Sequence, residues 1–153
     1  IGDGAFSNTD LGGTLVIPAK LATIGPSAFG YTKLTGLDLS EATSLVEIGD
    51  GAFSTTDLGG TLVIPAKLAT IGPSAFRNTK LTGLDLSEAT SLVEIGYSAF
   101  SSTDLGGTLV IPAKLATIGP SAFRNTKLTG LDLSEATSLV EIGDSAFSTT
   151  DLE

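Results

Sequence analysis

Residues 71–94 read IGPSAFRNTKLTGLDLSEATSLVE, and the 23 residues before them, 48–70, read IGDGAFSTTDLGGTLVIPAKLAT. Both segments open with the pattern I-G-x-x-A-F, which occurs seven times in the chain at alternating spacings of 23 and 24 residues. Self-similarity at a fixed period of this length is typical of a solenoid, in which each repeat is one coil that packs on its neighbours. The sequence therefore predicts two alternating coil types, a shorter and a longer one.

One shorter and one longer coil make a module of 47 residues, and the chain contains three modules and a partial coil: 1–47, 48–94, 95–141 and 142–153. We expect these segments to form a single solenoid domain, 1–153. Consecutive modules differ at only three positions, all near the A-F dipeptide, and no core position shows the apolar exchanges that drift leaves behind. This near-identity favours engineered or consensus-derived modules, with a very recent duplication as the alternative.

The leucine-containing part of each coil predicts a strand. In the longer coil, 34–39 (LTGLDL) alternates apolar and polar residues, which predicts a short strand with its leucines inward and Asp38 outward. In the shorter coil, 15–18 (LVIP) takes the same place, with Val16 outward and the proline at the strand end. A second short extended piece precedes each I-G glycine. No segment has the periodicity of an ordinary helix, and the S-A-F-R-N stretch has room for one helical turn at most, so the predicted fold is mainly β.

Stacking coils about 4.8 Å apart turns each repeated position into a column of side chains. One column holds every phenylalanine of the chain: Phe6, Phe29, Phe53, Phe76, Phe100, Phe123 and Phe147. We expect a buried stack of offset rings; the alternative, a ligand-stacking platform, is disfavoured by the neighbouring Ala and Ile residues. The glycine of I-G, present in all seven coils, indicates a backbone conformation that other residues adopt poorly.

Two polar columns follow the phenylalanine in each coil. A threonine column predicts hydroxyls that satisfy loop backbone groups, and a single inward column disfavours the alternative of an ice-binding array. Its members are Thr9, Thr32, Thr56, Thr79, Thr103, Thr126 and Thr150. The next position alternates in sign: Asp10, Lys33, Asp57, Lys80, Asp104, Lys127 and Asp151. Each lysine is expected to lie between two carboxylates about 5 Å away, which fixes the register of the coils more than it adds stability.

The order of Leu15-Val-Ile-Pro18, Leu21, Ile24-Gly25 and Ala28-Phe29 resembles the BspA-like (Treponema-type) leucine-rich repeats, and the resemblance extends over the whole chain. It implies a right-handed leucine-rich-repeat solenoid with one strand per coil. It also implies a protein of microbial or protist cell surfaces that acts in adhesion or interaction, without catalytic residues. The chain departs from the family at the threonine column, where Cys or Asn is frequent, so the usual packing at that corner is altered.

The composition excludes several chemistries. Cys, Met, Trp and His are absent, so the chain has no disulfide, thiolate nucleophile, imidazole base or histidine metal ligand. The best metal candidate is a stripe of aspartates, Asp38, Asp85 and Asp132, which recurs every second coil. Those carboxylates are expected about 10 Å apart, too far to share one Ca²⁺. We therefore expect no enzyme activity, no metal site and no cofactor.

The charge and hydropathy of the chain restrict its partners. A net charge of −9 disfavours nucleic acid and anionic lipid, because both are polyanions. The sequence also lacks an apolar run of 18 residues, so we expect no membrane insertion.

The outer face of the predicted strands remains as a surface for a protein partner, although an inert scaffold face fits the same residues. Its central column, named the strand face below, comprises Val16, Asp38, Val63, Asp85, Val110 and Asp132. Neither end of the chain carries a recognisable polar cap, so we also expect end-to-end self-association. The sequence thus favours a non-enzymatic repeat scaffold, engineered or consensus-derived. The alternative is a fragment of a microbial cell-surface leucine-rich-repeat protein that mediates adhesion to a host or matrix partner.

Overall fold

A computed structural model describes all 153 residues and contains twelve strands and no helix. Six strands of five or six residues alternate along the chain with six strands of two residues. The long strands are β1 (Gly12–Val16), β3 (Lys33–Asp38), β5 (Gly59–Val63), β7 (Lys80–Asp85), β9 (Gly106–Val110) and β11 (Lys127–Asp132). The short strands are β2 (Thr23–Ile24), β4 (Glu47–Ile48), β6 (Thr70–Ile71), β8 (Glu94–Ile95), β10 (Thr117–Ile118) and β12 (Glu141–Ile142). The prediction of a mainly β solenoid with one main strand per coil is confirmed.

All strand pairs are parallel, but the two sets of strands pair differently. The short strands form one continuous sheet of six, in the order β12-β10-β8-β6-β4-β2, with isoleucine opposite isoleucine at every step. The long strands pair only inside a module, as β1-β3, β5-β7 and β9-β11. The coils are therefore joined evenly on the side of the short strands and in twos on the side of the long strands.

The A-F segments form a ladder of turns between neighbouring coils. In the second coil, the amides of Ser27 and Phe29 donate to the carbonyls of Asp50 and Ala52 in the next coil, at 2.7 and 2.8 Å. The intervening amide of Ala28 donates to a carbonyl three residues back in its own coil. Alternate amides are thus committed to the next coil, so the helical turn that the sequence allowed for does not form.

The phenylalanine column forms the predicted stack. Successive ring centroids lie 5.1 to 5.4 Å apart with planes within 8° of parallel, which is an offset stack. The five central rings are fully buried within a core of 34 side chains, whereas Phe6 at the first coil is 43% exposed. Five of the threonines are also buried, and each donates its hydroxyl to the phenylalanine carbonyl three residues earlier, as Thr32 does to Phe29 at 2.8 Å. Both column predictions are confirmed.

The explanation offered for the I-G glycine was wrong. None of these seven glycines has a positive φ. A Cβ on Gly96 would instead lie 2.7 Å from the backbone nitrogen of Pro73, and one on Gly72 would lie 2.8 Å from the nitrogen of Asp50. Gly2, which has no preceding coil, has nothing within 4 Å. The glycine is required because the backbones of successive coils approach closely at this position.

The lysines and aspartates of the alternating charge column form separate ion pairs, one in each module. Lys33, Lys80 and Lys127 each contact the aspartate of the preceding coil in the same module, with Nζ to Oδ1 distances of 2.7 Å. No lysine contacts the aspartate of the following coil within 4 Å, but that aspartate acts at longer range: besides the contact with Asp57, the charge of Asp104 also raises the pKa of Lys80. Asp151 acts on the pKa of Lys127 in the same way, after Asp104, so these two lysines lie between two carboxylates as predicted but contact only one. The ion pairs follow the same grouping in twos as the long strands.

Candidate functional site: the strand face

The strand face consists of three valine–aspartate pairs. Val16 lies opposite Asp38 in the β1-β3 pairing, Val63 opposite Asp85 in β5-β7, and Val110 opposite Asp132 in β9-β11. The valines are exposed by 41 to 53%, while Ile17, Ile64 and Ile111 beside them are buried. The predicted outward direction of the valines and their alternation with the aspartates are therefore correct, whereas Leu37, predicted to point inward, is only partly buried and lines a groove on this face.

A bulge adjusts this register in every module. Between Gly60 and Thr61 the pairing skips one residue of the longer coil, so that five residues of β5 match six of β7. Gly60 has a φ of +73°, a conformation that glycine adopts without a steric penalty. Opposite Thr61, a Cβ on Gly83 would lie 2.6 Å from the threonine Oγ1. The Gly-Gly dipeptide and the facing glycine together allow strands of unequal length to end level at the Val–Asp pair.

Grooves separate the modules on this face. Between β3 and β5 lies a groove of about 680 Å³, and between β7 and β9 lies its equivalent of about 560 Å³. The first groove has an apolar base, formed by Leu37, Leu39 and Pro65 among others. Its charged residues include Lys67 and Glu88, which come from turns of the two coils of the second module. The second groove repeats this lining one module further along.

The structure distributes the six predicted residues unequally. Asp38 and Val63 line the first groove, and Asp85 and Val110 line the second. Val16 and Asp132 belong to neither groove. The sequence predicted an evenly spaced column, and the structure instead gives pairs divided by grooves.

Sequence reasoning missed the groove residues that follow the strands. In the first groove these are Ser40, Ala42 and Thr43 after β3, Pro65, Ala66 and Lys67 after β5, and Glu88. A signal was present in the coil lengths, since the segments that follow the two strand types differ in length and sequence within each module. Columns of identical side chains do not reveal that two unlike turns face each other across a gap.

The aspartates of the face are held as anions. The hydroxyl and then the amide of Ser40 lower the pKa of the Asp38 carboxyl, and Asp38 Oδ1 accepts the Ser40 amide at 2.8 Å. Ser87 and Ser134 lower the pKa of Asp85 and Asp132 in the same way. No group of three or more carboxylates comes together to hold a metal ion. The face therefore offers valine surface beside fixed negative charge.

The ends of the stack expose side chains that inner coils bury. Ile142 is 42% exposed, whereas the equivalent Ile118 is fully buried, and Val140 is 83% exposed, against 46% for the equivalent Val93. Leu133 at the last long strand is 43% exposed, against 5% for the equivalent Leu86. The structure contains no helix long and apolar enough to cross a membrane.

Known proteins contain similar repeats and a similar architecture. The family described as "BspA type Leucine rich repeat region" matches residues 1–129 and 47–153, in six copies, and so accounts for the whole chain. Among solved structures, "The Crystal structure of Pneumococcal vaccine antigen PcpA" is similar, with a TM-score of 0.68 and 27% sequence identity. That similarity covers 81% of this chain but only 31% of the antigen's chain. No curated protein matches the chain significantly. The chain belongs to the BspA-type leucine-rich repeat family.

Proposed function

We propose that the chain is a non-enzymatic repeat scaffold whose strand face binds a protein partner. The observation that supports this most directly is the repetition of an apolar groove with a charged rim, once between each pair of complete modules. Equivalent points two coils apart are separated by about 10 Å, twice the inter-strand spacing. The partner would present two apolar side chains at that spacing, with a cationic group facing Asp38 or Asp85.

The same features support a non-catalytic role. Catalysis needs an asymmetric set of acid, base and nucleophile. Each aspartate of the face is repeated in three modules, and its lowered pKa makes it a weaker proton acceptor. The near-identical modules also support an engineered or consensus-derived origin for the sequence.

Peptide display tests the binding proposal. A random peptide library would be selected on the intact chain, and each selected peptide would be titrated by calorimetry against the double variant Val63→Glu, Val110→Glu. We expect selected peptides to carry paired apolar residues near a basic one, and to lose at least about tenfold in affinity for the variant, because both grooves gain a charge. Val16→Glu, on the same face but outside both grooves, is the matched control and should bind normally. Equal binding to all three proteins would reject the grooves as the site.

The alternative proposal is a fragment of a microbial surface protein that adheres to a host or matrix partner. It is supported by the similarity to the pneumococcal antigen, whose chain is much longer than the matched part. Binding of the 153-residue chain to immobilised extracellular-matrix proteins, compared with the Val63→Glu, Val110→Glu variant, tests it. Binding that the variant loses would favour adhesion through the same face.

We also propose that these 153 residues self-associate when produced as a separate polypeptide, because Ile142 and Val140 are more exposed at the end of the stack than the equivalent residues of inner coils, Ile118 and Val93. Size-exclusion chromatography with light scattering over a hundredfold concentration range measures this. We expect the mass to rise with concentration, and Val140→Glu to reduce the rise. A constant mass of 15.4 kDa would contradict the proposal.

A further inference from the structure

The positions at which the modules differ gather around one groove on the turn side of the coils, away from the strand face. This groove has a volume of about 350 Å³, and seven of its nine lining residues occupy variable positions. The lining residues are Arg77, Tyr97, Ser98, Ser101, Ser102, Ser121, Arg124, Asn125 and Thr149. We call it the arginine groove. In a chain of near-identical modules, this is the one place where the third module departs from the second.

The groove contains both arginines of the chain. Arg77 and Arg124 follow Phe76 and Phe123, and the intervening coil has Ser101 at the same position. Successive rings of the phenylalanine stack are 5.3 and 5.4 Å apart here, so the backbones of the two arginines lie about 10 Å apart, one on each side of Ser101. Neither guanidinium forms an ion pair with a carboxylate, whereas three of the six lysines do.

The coil between the arginines has lost its aspartate. Tyr97 occupies the position that is Asp3, Asp50 and Asp144 in the other shorter coils. As a result no acidic residue lines the groove, in a chain whose net charge is −9. The Tyr97 side chain is 55% exposed, so its ring offers a free face beside the two guanidinium groups.

We propose that the arginine groove binds a tetrahedral oxyanion ester carried on a sugar, such as a sulfated or phosphorylated monosaccharide unit. The planar guanidinium group carries paired donors that match two oxygens of such an anion, and two arginines across one coil can hold it from both sides. Serine hydroxyls and the Asn125 amide supply neutral donors and acceptors for sugar hydroxyls. The exposed Tyr97 ring supplies an apolar face for the sugar ring.

The chain contains its own control for this site. One module earlier, the equivalent positions hold Gly30, Asp50 and Arg77, so that the set contains one arginine and one aspartate in place of two arginines and a tyrosine. Two substitutions each introduce into the arginine groove a residue that an earlier module has at the same module position: Arg124→Gly, matching Gly30, and Tyr97→Asp, matching Asp50. Both introduce residues that the same fold already accepts at equivalent positions, so the variants are expected to fold, and circular dichroism with a thermal melt checks that they do.

Side-chain NMR gives a direct readout, because a chain with two arginines has only two Nε–Hε signals. The probes are glucose 6-sulfate, inorganic sulfate and unmodified glucose. We expect glucose 6-sulfate to shift both signals along one saturable curve, weakened by added salt, and glucose to shift neither. Arg124→Gly and Tyr97→Asp should each weaken binding about fivefold, the effect expected for one partly exposed charge contact.

Three results would overturn the proposal. A non-saturating shift, or an unchanged dissociation constant in Arg124→Gly, would show that the two arginines do not form a joint site. Equal dissociation constants for inorganic sulfate and glucose 6-sulfate would overturn the assignment to a sugar ester and identify the free oxyanion as the ligand.

Discussion

The two sides of each coil differ in whether backbone hydrogen bonds continue across the module boundary. On the side of the short strands and A-F turns, the bonds from one coil to the next are the same within and between modules: Phe29 to Ala52 across a boundary and Phe53 to Ala75 inside a module are both 2.8 Å. On the side of the long strands, pairing occurs within a module and stops at its boundary. The first side thus joins the coils into one stack, and the second is left open for grooves. Continuous bonding and interruption at the module boundary thus occur on different sides of the same coil.

The largest expected effect tests where the stability lies. Phe76→Ala removes a fully buried ring from the continuous side and should lower the free energy of unfolding by about 3–5 kcal/mol, because it leaves a cavity between two stacked neighbours. Val63→Ala, on the groove side, removes a side chain that is 41% exposed and should cost less than about 1 kcal/mol. Urea unfolding monitored by circular dichroism measures both. Similar costs for the two variants would contradict the contrast between the two sides.

A smaller effect distinguishes the close contacts on the two sides. Gly96→Ala places a methyl group 2.7 Å from a backbone nitrogen of the preceding coil, and we expect a loss of about 2–3 kcal/mol because backbone must move. Gly83→Ala places one 2.6 Å from the hydroxyl of Thr61, which can rotate away, and should cost about 1 kcal/mol. Gly2→Ala, with open space around it, is the control and should be close to neutral. Thermal unfolding of the three variants ranks them, and the reverse order would refute this reading of the glycines.

A third prediction concerns strain on the continuous side. Thr55 has a φ of +54°, an unfavourable conformation for a β-branched residue, while Asn8, Asn78 and Asn125 hold the equivalent position elsewhere. We expect Thr55→Asn to stabilise the chain by about 0.5–1 kcal/mol, since asparagine tolerates this conformation better. The midpoint of chemical denaturation measures it. Asn78→Thr is the reciprocal variant, and it should destabilise by a similar amount.

Much of the fold is readable from the sequence because identical residues at a fixed period must form columns. The buried phenylalanines, the inward threonines and the opposed Val16 and Asp38 all follow from that periodicity. The pairing of coils in twos does not follow from it. The same columns stack at both kinds of junction, whether a shorter coil is followed by a longer one or a longer coil by a shorter one. The side-chain pattern therefore does not predict which kind of junction carries the paired long strands. The pairing within a module contains a backbone bulge at Gly60, and side-chain columns carry no information about such a bulge.

The candidate sites show the same division. The outward residues of the strand face were predicted from alternation, but the grooves beside Asp38 and Asp85 required the structure, because their linings come from turns of different coils. The arginine groove was visible in the sequence only as a few module differences near the A-F dipeptide. Periodicity predicts the contacts of residues that recur in every coil, whereas most residues of this groove occupy positions that differ between modules.

The smallest expected effect is a pH dependence on the groove side. Hydrogen bonds from Ser87 lower the pKa of Asp85 below its ordinary value of 3.8 in the folded chain. A carboxyl with a lowered folded-state pKa contributes stability above its unfolded pKa, and that contribution is lost as the pH falls through the folded value. Asp85→Asn should therefore be slightly less stable than the parent chain at pH 7, with the difference shrinking below about pH 4. Urea unfolding at a series of pH values measures it. Asp38→Asn and Asp132→Asn should behave alike, because Ser40 and Ser134 make the same hydrogen bond at 2.8 Å. A difference that stays constant with pH would mean that Asp85 acts through its shape and not its charge.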